Sequence, residues 1–416
     1  MNNDVRNNKI RSIVCGILRG CALLCATGTL MQTFLVTLGF SSSWIYIQTS
    51  LLQAANVLTI MLCSRWADKG NVIKRAAWVQ LPAALLFLCY LPLCIARSSS
   101  IWSFVLLVAV SMVQSVTTGL YTVCEYKLPY YTYLANEFGS MNALGGILSS
   151  GVTFGVGIVM SKLSERYSYV TLMIFAFVIA AAFMGIAAII GSHQKSLIKD
   201  ETDENGAPKV HDKVPYSKVF KHPVFAKVWP AHLLRGFAYG TISVLAVTAA
   251  DIGFDASVIT AMVSVQAVAS LLGCAVYGLS SKYISPRIPI FVGALTSMLL
   301  PMLMLADNTS FLLLYAVIIF GRTFIDYAVI SLMLYAVPLE LAGTYNAWRM
   351  ILHNGGTFIA TTIAAFIPTT ALLVATVLCQ LISGTMFLRI KVLREASPLL
   401  VKKCENESDS KITEGN

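Results

Sequence analysis

Leu18-Arg19-Gly20 and Leu234-Arg235-Gly236 stand 216 residues apart, each inside a long apolar run. The first run closes at Gly39-Phe40-Ser41-Ser42-Ser43-Trp44-Ile45 and the second at Gly253-Phe254-Asp255-Ala256-Ser257-Val258-Ile259. A second echo joins Pro129, Asn142-Ala143 and Gly145-Gly146 to Pro338, Asn346-Ala347 and Gly355-Gly356. Two independent echoes at similar offsets predict a chain built as two parallel copies of one unit.

The composition says what medium those copies occupy. Of 416 residues, 57% are hydrophobic and 12% charged, whereas soluble domains are about half apolar and a quarter charged. A disordered chain, a fibrous repeat and an ordinary water-soluble enzyme are excluded. A membrane-spanning helix takes roughly 20 apolar residues, so twelve spans at about 35 residues each, loops included, fill the chain. Apolar runs predict spans at 10–38, 44–63, 76–96, 101–124, 140–161, 168–191, 224–250, 257–280, 287–306, 310–337, 346–366 and 369–392. The expected fold is an all-α membrane protein with two pseudo-symmetric six-helix bundles, 1–191 and 223–392. A cytoplasmic linker (192–222) and a cytoplasmic tail (393–416) complete it. The linker holds Asp200-Glu201-Thr202-Asp203-Glu204-Asn205-Gly206 and shows no apolar period.

Thirty Lys and Arg stand against twenty Asp and Glu. With the N-terminus inside, the external loops keep only Arg97, Lys162 and Arg166. That bias predicts a multi-pass protein of the cell membrane with both termini cytoplasmic. The basic residues are spread over separate internal segments, which argues against nucleic acid as a partner. The ten cysteines form no Cys-x-x-Cys pair and no cluster with histidine, so neither a metal site nor a structural disulfide is predicted. The first apolar run is too long for a signal peptide and reads as a retained span. No nucleotide-binding loop, metal-spaced histidine pair or nucleophile with a base is present. Catalytic residues, cofactors and enzyme activity are therefore not expected.

Between spans 2 and 3 runs Ser64-Arg65-Trp66-Ala67-Asp68-Lys69-Gly70-Asn71-Val72-Ile73-Lys74-Arg75. This stretch resembles the Gly-x-x-x-Asp-Arg/Lys-x-Gly-x-Arg/Lys pattern of the major facilitator superfamily. Asp68 and Lys69 match, Lys74 and Arg75 match the basic end loosely, Ser64 replaces the first glycine, and Gly70 comes one residue early. The second-half echo, Gly278-Leu279-Ser280-Ser281-Lys282, has lost the acid. The resemblance implies alternating access around a cavity lined by spans 1, 4, 7 and 10. It also implies a cytoplasmic gate in which Asp68 faces the N-terminus of span 11, where a carboxylate is favoured. Lys69, Lys74 and Arg75 belong to that gate. Glu125, at the inner end of span 4, is placed there by its position. Tyr130, Tyr131 and Tyr133 fit an interfacial aromatic belt. Span 4 reads Gln114-Ser115-Val116-Thr117-Thr118-Gly119 and lacks the arginine motif of proton-coupled drug antiporters. Span 5 lacks their Gly-Pro pair, and its Gly151-x-x-x-Gly155 predicts close helix packing.

Charge inside hydrocarbon is costly and marks function. Arg19, Arg235, Arg322 and Asp326 lie deep in spans 1, 7 and 10. Arg322 and Asp326, four apart, predict an ion pair on one helix face, with Asp326 as the candidate proton acceptor. Arg19 and Arg235 are repeat equivalents and suit an anion, because a guanidinium bonds carboxylate or phosphate oxygens as a fork. Tyr239 and His232 share the face of Arg235. Arg19, Arg235, Tyr239 and Arg322 are thus the expected substrate-binding set, and His353 is expected to pack. The expected function is secondary active transport of a small polar, anionic solute by a monomer, with a proton as candidate co-ion. Two alternatives are export of drugs or lipophiles and a non-transporting receptor of the same fold.

Overall fold

The computed structural model describes residues 2–26, 28–63, 66, 71–125, 128, 132, 138–196, 221–280, 284–336 and 339–390. Asp68, Lys69, Tyr130, Tyr131, Tyr133, linker residues 197–220 and the tail 393–416 lie outside the described residues.

A chain in hydrocarbon must satisfy its backbone hydrogen bonds internally, and the described residues form helices and no strand. The first half runs α1 (Asn2–Ala26), α2 (Gly28–Thr37), α3 (Ser42–Cys63), α4 (Val72–Leu88), α5 (Leu91–Ala96), α6 (Ile101–Glu125), α7 (Phe138–Ser164) and α8 (Tyr169–Ser192). The second runs α9 (Pro223–Ser243), α10 (Leu245–Ile252), α11 (Ala256–Ser280), α12 (Arg287–Thr296), a 3₁₀ segment (Ser297–Leu305), α13 (Asn308–Ala336), α14 (Leu339–Ala364) and α15 (Thr369–Leu388). Ten helices among the described residues are long and apolar enough to cross a membrane, eleven when α9 and α10 count as one bent span. α14 has the length too, but Arg349, His353 and Asn354 lower its hydropathy. It also begins seven residues before the predicted start of span 11, because its first turns read as loop.

The caps follow local chemistry. Asn71 accepts the Lys74 N–H and starts α4. Asp307 accepts the Ser310 N–H at 2.8 Å and starts α13, and those bonds hold its carboxyl below the usual range. Pro301 sits inside the 3₁₀ segment, where its missing N–H disfavours α-helical bonding.

Two breaks matter more. Span 1 leaves the α-helical conformation at Gly28, whose φ is +69°, a conformation that glycine adopts freely. Span 7 breaks at Val244, with a 48° bend between α9 and α10. Gly28 and Val244 lie 216 residues apart, so both copies break at the same repeat position.

Packing respects the duplication. α8 packs on α1 and α4, α6 on α3 and α4, and α7 on α1. In the second half α9 packs on α14 and α15, α12 on α13 and α15, and α11 on α13. Between halves the main contacts are α3 with α14 and α7 with α11. Exchanging the halves turns one of those contacts into the other, as a two-fold relation requires. Gly151 and Gly155 correct the sequence reading: a Cβ at either would meet nothing within 4 Å. Among the described residues the close approach on α7 is Gly157, against Ser264 of α11. A tighter crossing joins α9 to α14, where a Cβ on Gly236 would strike the His353 carbonyl and one on Gly356 the Leu233 carbonyl.

Candidate functional site: a polar chamber between the halves

Asp4 and Lys195 pair at 2.9 Å and mark the terminal end of the molecule. The opposite, far end is shut by bonds between halves. The Ser42 hydroxyl donates to the Asp251 carboxylate, and the Tyr46 hydroxyl reaches its other oxygen at 3.4 Å. Ser50 donates to the Phe358 carbonyl at 3.1 Å and meets the Thr362 hydroxyl.

Below that seal lies a chamber of about 380 Å³ between the halves. α2 brings Thr29 and Gln32, α3 brings Gln48, Thr49 and Gln53, and α7 brings Thr153. From the second half come Tyr239 and Ser243 on α9, Gln266 on α11 and Arg322 on α13. The helix breaks build part of its wall. Gln32, just past the first break, donates its amide to the Ser243 carbonyl beside the second at 2.9 Å. That carbonyl precedes the Val244 bend, where the helical hydrogen-bond ladder is interrupted. Discontinuous helices at equivalent repeat positions commonly form transporter binding sites.

A second cavity of about 520 Å³ leads toward the terminal end, lined among others by Ser12, Gly16, Arg19, Glu125 and Ser149. Leu24 and Thr153 belong to the walls of both cavities, so the two adjoin.

The four deep charges divide between these spaces. Arg322 does not pair with Asp326, which corrects the expected same-helix ion pair. Its guanidinium lies 3.6 Å from the centroid of the Tyr239 ring and faces the central chamber. Among the described residues no carboxylate lies within 4 Å of it and it donates no hydrogen bond. Asp326 instead accepts from Arg235 of α9, with Nε to Oδ1 at 3.1 Å. Arg235 is 5% exposed and absent from the walls of both cavities. The expectation that Arg19 and Arg235 face one cavity is therefore corrected as well. Arg19 lines the second cavity, stacks on Tyr121 at 3.6 Å and reaches Glu125 at 3.4 Å.

The arginine pairs are themselves repeat equivalents: span 1 to span 4 in one half, span 7 to span 10 in the other. They differ in solvent. The Arg19 and Glu125 side chains are 15% and 49% exposed, those of Arg235 and Asp326 6% and 27%. An exposed pair contributes at most about 1 kcal/mol, while separating a buried pair costs several.

Arg75 donates to the Trp66 carbonyl and lies over the Trp66 ring at 5.0 Å, so its guanidinium is engaged within its own loop. Lys74 is exposed, and its backbone N–H completes the α4 cap. His353 packs edge-on to Tyr239. His232 bonds the Tyr345 hydroxyl in a fully buried site outside both cavities.

Sequence reasoning did not single out Gln32, Gln48, Gln53 or Gln266. Each is a carboxamide in an apolar run, and that signal was available. What was missing is the helix rotation that turns them inward.

A chamber at mid-helix depth between duplicated bundles, sealed at one end and adjoining a second cavity at the other, has the architecture of a membrane transporter. The chain belongs to the Major Facilitator Superfamily, whose family model matches residues 13–361. Its fold resembles that of a bacterial homologue of the iron transporter ferroportin in the inward-facing state. There the TM-score is 0.67 at 13% identity, over 91% of this chain and 97% of that one. The nucleoside transporter NupG, in a point-mutant form, gives 0.64 at 15% identity, over 91% and 98%. Comparison with curated proteins gave no match. The protein is thus a multi-pass membrane protein with a transporter fold.

Proposed function

We propose that the protein is a secondary active transporter that moves a small polar anion by alternating access. The observation that carries this reading is Arg322: a guanidinium without a carboxylate partner among the described residues, at the wall of a mid-depth chamber shared by both halves. An arginine in hydrocarbon is retained where it has work, and a carboxylate or phosphate would satisfy its N–H groups as a fork. Tyr239 holds the guanidinium plane, and Arg19 in the adjoining cavity offers a second cation along the path.

On this reading the bodies that rock are residues 1–191 and 223–392. The terminal end faces the cytoplasm of the cell membrane, in keeping with the Lys and Arg bias. Glu125, with Arg19, stands at the cytoplasmic mouth. Lys74 and Arg75 flank the loop that carries Asp68 and Lys69. Asp326 is the proposed proton acceptor: a proton there would cancel its attraction for Arg235 and free α9 relative to α13. A monomer holds every residue invoked. Export of lipophiles fits less well, because the chamber presents four glutamines and a guanidinium. Divalent metal fits poorly too, since none of the chamber's described lining residues is Asp, Glu, His or Cys.

The test uses the purified full chain, screened by thermal shift and then in proteoliposomes against acetate, lactate, phosphate and glucose. Stabilisation by at least one anion should disappear in Arg322→Gln and survive in part in Arg322→Lys. Equal behaviour of wild type and Arg322→Gln would overturn the reading.

A further inference from the structure

Among the described residues the central chamber presents one formal charge, Arg322, and one aromatic ring, Tyr239, whose face the guanidinium already covers. The acid one turn along α13, Asp326, has its charge met by Arg235 and is absent from the chamber wall. An incoming ammonium group would therefore meet Arg322 without a carboxylate to offset it. A second negative charge would find no second cation in the chamber.

Beside leucines, Met31, Val263 and several hydroxyl side chains, the remaining lining includes carboxamides with unused valences. The Gln32 amide donates to Ser243, but its Oε1 is buried and has no partner among the described residues. The Gln266 oxygen accepts from the Tyr315 hydroxyl at 2.9 Å, which leaves its amide to donate. Gln53 lines the same chamber. The set asks for a donor at one position, an acceptor at another and either at a third. A hydroxyl supplies all of these, and an unmatched buried acceptor costs about 1–3 kcal/mol. The volume, near the lower end of the roughly 300–1,000 Å³ usual for ligand sites, suits a small metabolite.

From this charge count and donor pattern we infer that the cargo is a hydroxylated monoanion without an amino group, of the aldonate type. Its acid group lies on Arg322 and its hydroxyls on Gln32, Gln53 and Gln266. This inference rests on the anion reading above and narrows it. Neutral sugars lose the arginine contact, zwitterions bring an uncompensated cation, and dianions bring an uncompensated anion.

The experiment varies charge and hydroxyl content on a six-carbon skeleton and adds two shorter aldonates. Wild-type full chain in nanodiscs is titrated with D-gluconate, D-glucose, 2-amino-2-deoxy-D-gluconate and D-glucarate, with threonate and xylonate as shorter aldonates and hexanoate as the hydroxyl-free acid. At least one aldonate should bind roughly tenfold or more tighter than glucose, the amino acid, the diacid and hexanoate. Arg322→Gln should bring that aldonate to the level of glucose. Gln53→Leu should weaken the aldonate and leave hexanoate unchanged. Binding of hexanoate or the amino acid as tightly as the aldonates, still dependent on Arg322, would overturn this inference and leave the anion reading standing. Absence of Arg322-dependent binding by any anion would end both.

Discussion

Asp326 takes its hydrogen bond from Arg235 on another helix, 91 residues away in sequence, although Arg322 lies one turn back on its own. Arg322 turns instead to the Tyr239 ring. The choice follows from burial. Arg235 is enclosed between α9, α13 and α14 and needs a carboxylate, whereas Arg322 borders a polar chamber and can wait for one.

Asp326→Asn is accordingly a stability variant first. It leaves a guanidinium that is 6% exposed without its counter-charge, and the loss should be on the order of 3 kcal/mol. A lower melting temperature in detergent is the readout, and Arg235→Gln combined with Asp326→Asn should recover most of it. The double variant then tests coupling. Uptake that keeps its pH dependence without either group would remove Asp326 as the proton site.

Tyr239 should act through its ring. Tyr239→Phe keeps the surface on which Arg322 lies and should bind the anionic cargo nearly as wild type does. Tyr239→Leu removes the cation–π contact, worth about 1 kcal/mol, and should weaken binding roughly fivefold. Equal loss in both variants would shift the role to the phenol oxygen.

The glycines separate in a way that stability measurements can read. Gly236→Val and Gly356→Val force the α9–α14 crossing apart, because backbone already occupies the added volume. A loss of about 1–3 kcal/mol or failure to fold is expected. Gly151→Ala and Gly155→Ala enter open space and should raise helix stability by about 0.5–1 kcal/mol each. A destabilising effect at Gly151 or Gly155 would mean that α7 packs more tightly than described.

Ser42 and Tyr46 meet Asp251 across the halves at the far end. Asp251→Asn weakens both bonds, and on an exposed site about 1 kcal/mol is at stake, roughly a fivefold shift in population. The shift should favour a state open at the far end. Spin labels at Glu165 and Phe366, one on each half, should report a larger share of long distances. An unchanged distribution would leave Asp251 without a gating role.

Much of this protein is legible in one dimension. Spans 2, 4, 6 and 8 end within a few residues of the helices α3, α6, α8 and α11, because a membrane crossing is a length of apolar sequence and little else. The repeat of Leu-Arg-Gly announced the duplication, and the rarity of charge in hydrocarbon singled out Arg19, Arg235, Arg322 and Asp326. The gate loop around Asp68 was named from its pattern alone and lies outside the described residues.

The tertiary structure decided how those charges are used. It gave Asp326 to Arg235, freed Arg322 for the chamber, set Gln32 against the Ser243 carbonyl and made Gly236 rather than Gly151 a crossing point. A helix that is apolar on every side carries no strong moment to fix its rotation. Which residue looks inward is then settled by the neighbouring helices, and from there come the ion pairs, the broken spans and the lining of the chamber.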